Sequence, residues 1–293
     1  MSDFILKPKH DLLLRGTDAL PLGLYQLQLA TAEQLCRLHY SPGTLTTVKA
    51  HLKELVDAGY VQPDKVPTRN YSSPYYYTLG SEGVSYLKAL GYDTNEAWRG
   101  SKETQKSWLF LDHALEVNDL VISAALLSRV RPEYTLDHFT TERQLRRQPY
   151  RVSWQGEHGT QTFTVIPDAL LEFRHTRADG AQLRMPVLLE HDRGTEEQQH
   201  FRRRIHAYGM LLKTQSYREL FQTTALTITF TTFKGSERLE KMRAWTKQEL
   251  AEESPALRQA FCFATFTPPV LPTIWLSDRW QTPDDEQLAL LAA

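Results

Sequence analysis

Val165-Ile-Pro-Asp168-Ala-Leu-Leu-Glu-Phe173, followed 22 residues after Asp168 by the run Val187-Leu-Leu-Glu190-His-Asp192-Arg-Gly-Thr195, is the stretch on which the fold turns. Apolar and β-branched content predicts a strand over residues 161–173 and another over 183–190. Residues i and i+2 of a strand share a face, so Glu190 and Asp192 point the same way, and Asp168 on a neighbouring strand can join them. Carboxylates gathered on one face repel, and burying them unpaired is costly. A hard divalent cation with oxygen ligands is the common remedy, which makes Asp168, Glu190 and Asp192 the candidate catalytic and metal-binding residues. The competing reading is a turn that caps the next helix, with Thr195 as N-cap and Gln198 closing a capping box. His191 and His113, each alone, read more simply as packed and hydrogen-bonded histidines.

Downstream, the patterning predicts helix over 196–212, strand over 224–233, helix over 236–252, and strands over 260–266 and 273–276. Upstream it predicts one long helix over 108–130 and a strand over 135–140. The result is a mixed α/β domain. Glu116 and Asp119 on the long helix are further candidate carboxylate ligands. Charge is segregated here: residues 201–250 carry 10 basic and 4 acidic side chains, residues 151–200 carry 5 and 8. Arg202, Arg203 and Arg204 could face a phosphate backbone, but three consecutive helical residues fan too widely for more than two to meet one ligand, and one or two of them are expected to pair with neighbouring carboxylates instead.

The first hundred residues read differently. A short helix over 21–29 is followed by Thr31-Ala-Glu-Gln34, which fits a capping box opening a second helix. Leu45, Val48, Leu52, Leu55 and Val56 then recur at helical spacing until Ala58-Gly59, leaving Thr44, Thr46, Thr47, Lys49, His51 and Lys53 off the apolar stripe. Strands at 60–61 and 75–79 flank a polar loop over 62–73 that bears Lys65 and Arg69, and a closing helix starts at Ser81. The polar run 92–107 marks a boundary, so the expected organisation is a first domain over 1–95, a linker over 96–107 and an α/β domain over 108–293.

The runs LKELVDAGYV (52–61) and YYYTLGSEGVSYLKALG (75–91) resemble the recognition helix and wing of bacterial winged helix-turn-helix regulators, over about residues 15–92. That resemblance implies duplex DNA as the partner, with Thr46, Thr47, Lys49 and Lys53 as helix contacts and Lys65, Arg69 and Asn70 as wing contacts. Asp168, then Glu190 with a third residue two positions on, resembles the PD-(D/E)XK nuclease superfamily. Together with HALEVNDL (113–120), VIPDALLEF (165–173) and LLEHDRGTE (188–196), the chain is similar over most of its length to the replication-relaxation family of plasmid and mobile-element proteins.

The resemblance implies a DNA-binding protein of plasmid or mobile-element replication or mobilisation. Its second domain would be nuclease-like, with Mg2+ or Mn2+ at Asp168 and Glu190 and with Arg202 on DNA. The nuclease superfamily pattern wants lysine where this chain has Asp192, which implies a weak or inactive endonuclease, since aspartate cannot supply positive charge beside the attacking water. The alternative is a winged-helix transcriptional regulator whose second domain dimerises or binds a partner. A relaxase or other mobilisation protein and a homodimer are partners the resemblance admits.

Composition excludes other classes. With 34 Lys and Arg against 35 Asp and Glu, the net charge is −1, so no chain-wide positive field exists. Cys36 and Cys262 are too few for a disulfide framework or a zinc site and read as buried thiols. No Gly-rich phosphate loop or Gly-x-Ser-x-Gly elbow occurs, so no nucleotide or organic cofactor is expected. No run approaches 18 apolar residues, which reads as a cytoplasmic protein without a membrane partner.

Overall fold

The computed structural model describes residues 18–65, 75–94, 108–156 and 159–291. The chain divides into two compact units, residues 1–126 and 127–293. No helix among the described residues is long and apolar enough to cross a membrane.

The first unit runs α1 (Ala19–Leu27), β1 (Ala30–Thr31), α2 (Ala32–His39), α3 (Leu45–Asp57), β2 (Val61–Lys65), β3 (Tyr75–Leu79), α4 (Ser81–Ala89) and α5 (Trp108–Ala125). Its antiparallel sheet has the order β1-β3-β2. The capping box at the start of α2 forms as the sequence predicts: the Gln34 amide donates to Thr31 Oγ1 at 3.2 Å, and the Thr31 amide donates to Gln34 Oε1 at 3.1 Å. Two backbone donors that a helix start leaves open are thereby satisfied, an arrangement worth about 1 kcal/mol. Helix α3 buries Val48 and Leu52 and stops at Gly59, whose φ of +77° suits glycine.

Helix α5 falls in this unit, whereas the sequence reading starts the second domain at residue 108. Asn118 Nδ2 donates to the carbonyls of Leu27 at 3.3 Å and Leu29 at 2.7 Å, and Gln34 Nε2 donates to the Leu115 carbonyl at 2.7 Å. Leu111 packs with Leu29 and Tyr76. These contacts, polar and apolar, reach residues up to 91 positions away in the chain, which the local hydrophobic pattern of residues 108–130 does not register. The linker expected over 96–107 lies outside the described residues.

The second unit runs α6 (Leu127–Val130), β4 (Tyr134–Thr141), α7 (Glu142–Arg147), β5 (Tyr150–Gly156), β6 (Gly159–Val165), β7 (Ala169–Thr176) and β8 (Gln182–Asp192). Then follow α8 (Gln198–Lys213), α9 (Tyr217–Phe221), β9 (Thr227–Thr232), α10 (Ser236–Glu249), α11 (Pro255–Gln259), β10 (Phe261–Thr265), a 3-10 turn (Pro272–Leu276), β11 (Trp280–Gln281) and β12 (Gln287–Leu288). Seven strands form one sheet in the order β12-β11-β10-β9-β8-β7-β4, parallel at β8-β9 and β9-β10 and antiparallel elsewhere. Strands β5 and β6 pair only with each other.

One sheet face supplies Leu170, Leu188, Ile228, Phe230, Phe261 and Phe263, which pack against Phe201, Ile205 and Tyr208 of α8 and Leu239 and Met242 of α10. Burying a side chain such as Phe230 completely is worth about 1.5–3 kcal/mol. The mixed α/β class expected from sequence is what the chain adopts.

Four element expectations change. The long helix breaks at Leu126, between α5 and α6. The run 161–173 is two strands, because Ile166-Pro167-Asp168 leaves the β5-β6 pair and Ala169 enters the large sheet; proline has no amide to give a ladder at that switch. Residues 273–276 form the 3-10 turn behind Pro272 instead of a strand. Helix α8 starts at Gln198 with Glu197 as its N-cap and no side-chain cap, so the Thr195–Gln198 box does not form.

Candidate functional site

Strand β8 ends in Glu190, His191 and Asp192, which are 1%, 3% and 3% exposed. Strand β9 pairs along them, with Glu190 opposite Phe230 and Asp192 opposite Thr232, whereas the β7 ladder ends one step earlier at Ala169–Leu189. Strand alternation puts Glu190 and Asp192 on one face, as the sequence predicts, and that face meets α8 and α10. His191 faces away: its Nδ1 lies 2.9 Å from Thr231 Oγ1 and its ring packs on Phe233. Asp168, at the β6-β7 switch, accepts the His191 amide at 2.7 Å.

Glu190 and Asp192 each have a cationic partner; Arg204 on Glu190 agrees with the expectation that one or two of Arg202–Arg204 pair with carboxylates, whereas the sequence reading does not identify Tyr208 and Arg238 as partners. Glu190 accepts from Arg204 at Oε2 and from the Tyr208 hydroxyl at Oε1. Asp192 accepts a two-pronged hydrogen bond from Arg238, Nε to Oδ1 at 2.7 Å and Nη2 to Oδ2 at 2.8 Å, and Oδ1 also takes the Gly194 amide at 2.6 Å. Arg204 further holds Glu196, and Arg238 donates to the Glu196 carbonyl at 2.9 Å. One connected network results, Tyr208–Glu190–Arg204–Glu196–Arg238–Asp192. Its flat guanidinium forks suit carboxylates in a way a lysine would not. Gly194, at φ +79°, lets the chain turn back onto Asp192, and a Cβ there would lie 3.1 Å from Lys234 Cγ.

The oxygen donors are of the right kind for a divalent cation, but their surroundings do not fit one. Both oxygens of Glu190 and both of Asp192 already accept hydrogen bonds, three of the four from guanidinium groups. Those two arginines bring the positive charge that a cation would supply. Among the described residues no three His, Cys, Asp or Glu side chains group as metal ligands. Guanidinium groups hold Glu190 and Asp192 where the sequence reading expects Asp168, Glu190 and Asp192 to share Mg2+ or Mn2+. Of the two further carboxylates considered, Glu116 and Asp119, both on α5 of the first unit, Asp119 pairs with Arg37.

Burial pushes the Glu190 carboxyl above the usual range; Asp168 and Glu196 add to the rise, and Arg204 and Tyr208 oppose it. Burial also raises Glu196 against the pull of Arg204. For Arg204, burial works to lower the pKa and is outweighed by Glu190, Glu196 and Asp168, so its charge is held more firmly. The Tyr208 hydroxyl is raised by burial and by Glu190, so it stays protonated and can donate.

Of the arginine run, Arg204 turns inward to this network, while Arg202 Nε pairs with Glu249 at 2.7 Å and Arg203 is exposed. Arg202 lines a groove with Phe163, Gln198, His206 and Glu249, which the buried carboxylates do not reach. Arg202 as a DNA contact would thus first have to leave a carboxylate.

In the first unit, Thr46, Thr47, Lys49 and Lys53 are all exposed on α3, opposite buried Val48 and Leu52. Lys49 lies 3.3 Å from Glu33, both well exposed, a pairing that water and salt weaken. Lys65 is exposed at the end of β2, with its ammonium 5.2 Å from the centre of the Tyr75 ring. Arg69 and Asn70 lie outside the described residues. Both cysteines are buried, as expected, and burial pushes the Cys262 thiol up to about 12.

Residues 23–224 match the model of a family described as replication-relaxation. No curated protein and no solved structure matches the chain. The match takes in Asp168, Glu190, Asp192, Arg204 and the exposed face of α3, and it stops short of Arg238.

Proposed function

The chain belongs to the replication-relaxation family, and from that premise we propose that it serves plasmid or mobile-element replication or mobilisation as a duplex-DNA-binding protein. The reading unit is the first one, taken as a winged helix: the order α1-α2-α3, hairpin β2-β3 and α4 supports it. The single observation that carries it is the exposed row Thr46, Thr47, Lys49 and Lys53 on α3, short hydroxyls and ammonium groups standing opposite the helix's buried side. Hydroxyls hydrogen-bond to base edges or phosphate, and ammonium groups neutralise phosphate. Lys65 extends the same chemistry to the start of the wing.

In this reading the second unit is nuclease-like in its element order and uses arginines where a nuclease would use a metal. Arg204 and Arg238 neutralise the carboxylates and also block them, so the cluster organises the sheet end and cuts nothing. Lys49→Ala with Lys53→Ala is expected to weaken binding of the full chain to a labelled duplex and to reduce the slope of log affinity against log salt by about 0.9 for each phosphate left without its lysine. Unchanged affinity and slope would remove α3 from the interface. Cleavage of supercoiled DNA with Mg2+ or Mn2+ that Glu190→Ala abolishes would overturn the arginine reading of the second unit.

A further inference from the structure

We propose that the two-stranded ribbon β5-β6, together with the short helix α7 that leads into it, is a second duplex-DNA contact. The inference rests on the reading of the chain as DNA-binding, but on a different surface from α3.

The ribbon stands outside the seven-stranded sheet and keeps a sheet of its own. Its inner row, including Val152, Phe163 and Val165, packs on the core beneath α8. The outer row is Arg151, Ser153 and Gln155 facing Thr164, Thr162 and Thr160, and all six are exposed. Every one of them donates or accepts hydrogen bonds, and none is acidic or aliphatic. Protein interfaces anchor mainly on Trp, Tyr and Arg, with Ser and Thr under-represented; this row offers only Arg151 of those, and Trp154, 38% exposed, belongs to the opposite row.

The dimensions and charge suit a duplex. The major groove, about 12 Å wide, admits a two-stranded ribbon. Strands of seven residues at about 3.3 Å each reach roughly 23 Å along it. Some outer side chains are already held in place: Thr160 Oγ1 donates to Gln155 Oε1 at 2.6 Å. At the base, Arg146, Arg147 and Arg151 are exposed. Residues 142–165 contain four arginines against Glu142 and Glu157, in a chain whose net charge is −1. Arg146 pairs with Glu142 at 2.5 Å, and at 65% side-chain exposure it can exchange that partner for phosphate.

The test is anisotropy of a labelled duplex with the full chain between 50 and 200 mM salt, a range over which phosphate-driven affinity changes steeply. Arg146→Ala, Arg147→Ala and Arg151→Ala combined should weaken binding about tenfold or more at the lowest salt and cut the salt slope by roughly 2 to 3, about 0.9 per phosphate. The corresponding triple lysine variant should restore the slope, which a merely structural defect would not allow. Wild-type affinity and slope in the triple alanine variant, with Lys49→Ala and Lys53→Ala still weakening binding, would overturn the ribbon alone. No binding by the wild-type chain at 50 mM salt would overturn both surfaces.

Discussion

Arg238 shows how one side chain decides what a cluster of acids can do. It lies 46 residues beyond Asp192, meets both carboxylate oxygens and stacks its guanidinium 5.0 Å from the centre of the Trp245 ring. Removing one partner of a buried pair leaves the other charge uncompensated, so Arg238→Ala should cost about 3–5 kcal/mol of stability. The variant should then gain melting temperature from millimolar Mn2+, since Asp192 would be open to a cation, whereas wild type should gain little. Equal gains in both proteins would show that arginine does not occupy the place of a metal. Glu190 gives a pH signature. Its folded-state pKa lies above the usual glutamate value of 4.5, so between that value and the raised one the folded chain holds a proton the unfolded chain has lost. The stability this group contributes is complete below the unfolded pKa and falls away as pH rises through the folded one. Glu190→Gln removes the titration, and the urea midpoint of the variant relative to wild type should climb from pH 5 to pH 8. A difference that stays constant with pH would contradict the raised pKa.

Elements written in local patterning were legible in the sequence, and elements written in distant contacts were not. The Thr31–Gln34 box could be read because both partners lie within one helical turn. Likewise the alternation of Thr and apolar residues that marks β9 is local. Glu190 and Asp192 were placed on one face from spacing alone, and the structure keeps them there. Their partners could not be found that way. The run Arg202–Arg204 reads as pairing one or two members with nearby carboxylates, without showing which, and Arg238 reaches Asp192 through the parallel step from β8 to β9 and the helix after it. The ribbon was missed for a related reason: β5 and β6 were merged or skipped because Pro167 was not read as the point where one sheet ends and another begins. Residues 108–125 show the strongest override, an apolar helix whose neighbours are fixed by Asn118, Gln34 and an Arg37–Asp119 pair.

At the scale of the molecule, that override moves the place where the chain can be divided. A fragment of residues 1–95 lacks α5 and would expose Leu29 and Tyr76, which pack on Leu111, and would leave the Leu27 and Leu29 carbonyls without Asn118. Residues 1–126 should melt cooperatively and residues 1–95 should not, as followed by circular dichroism; cooperative melting of the shorter fragment would show α5 to be dispensable. The second unit bears on a different property, its behaviour at high concentration. Its large sheet has two outer strands. On one side β12 and its neighbour β11 are two residues long, and on the other β4 is interrupted by a bulge between Leu136 and His138. Unpaired amides in a long straight row invite a second chain to add itself as another strand. Neither border of this sheet presents such a row, so crowded copies of the chain gain no template for fibril growth from it.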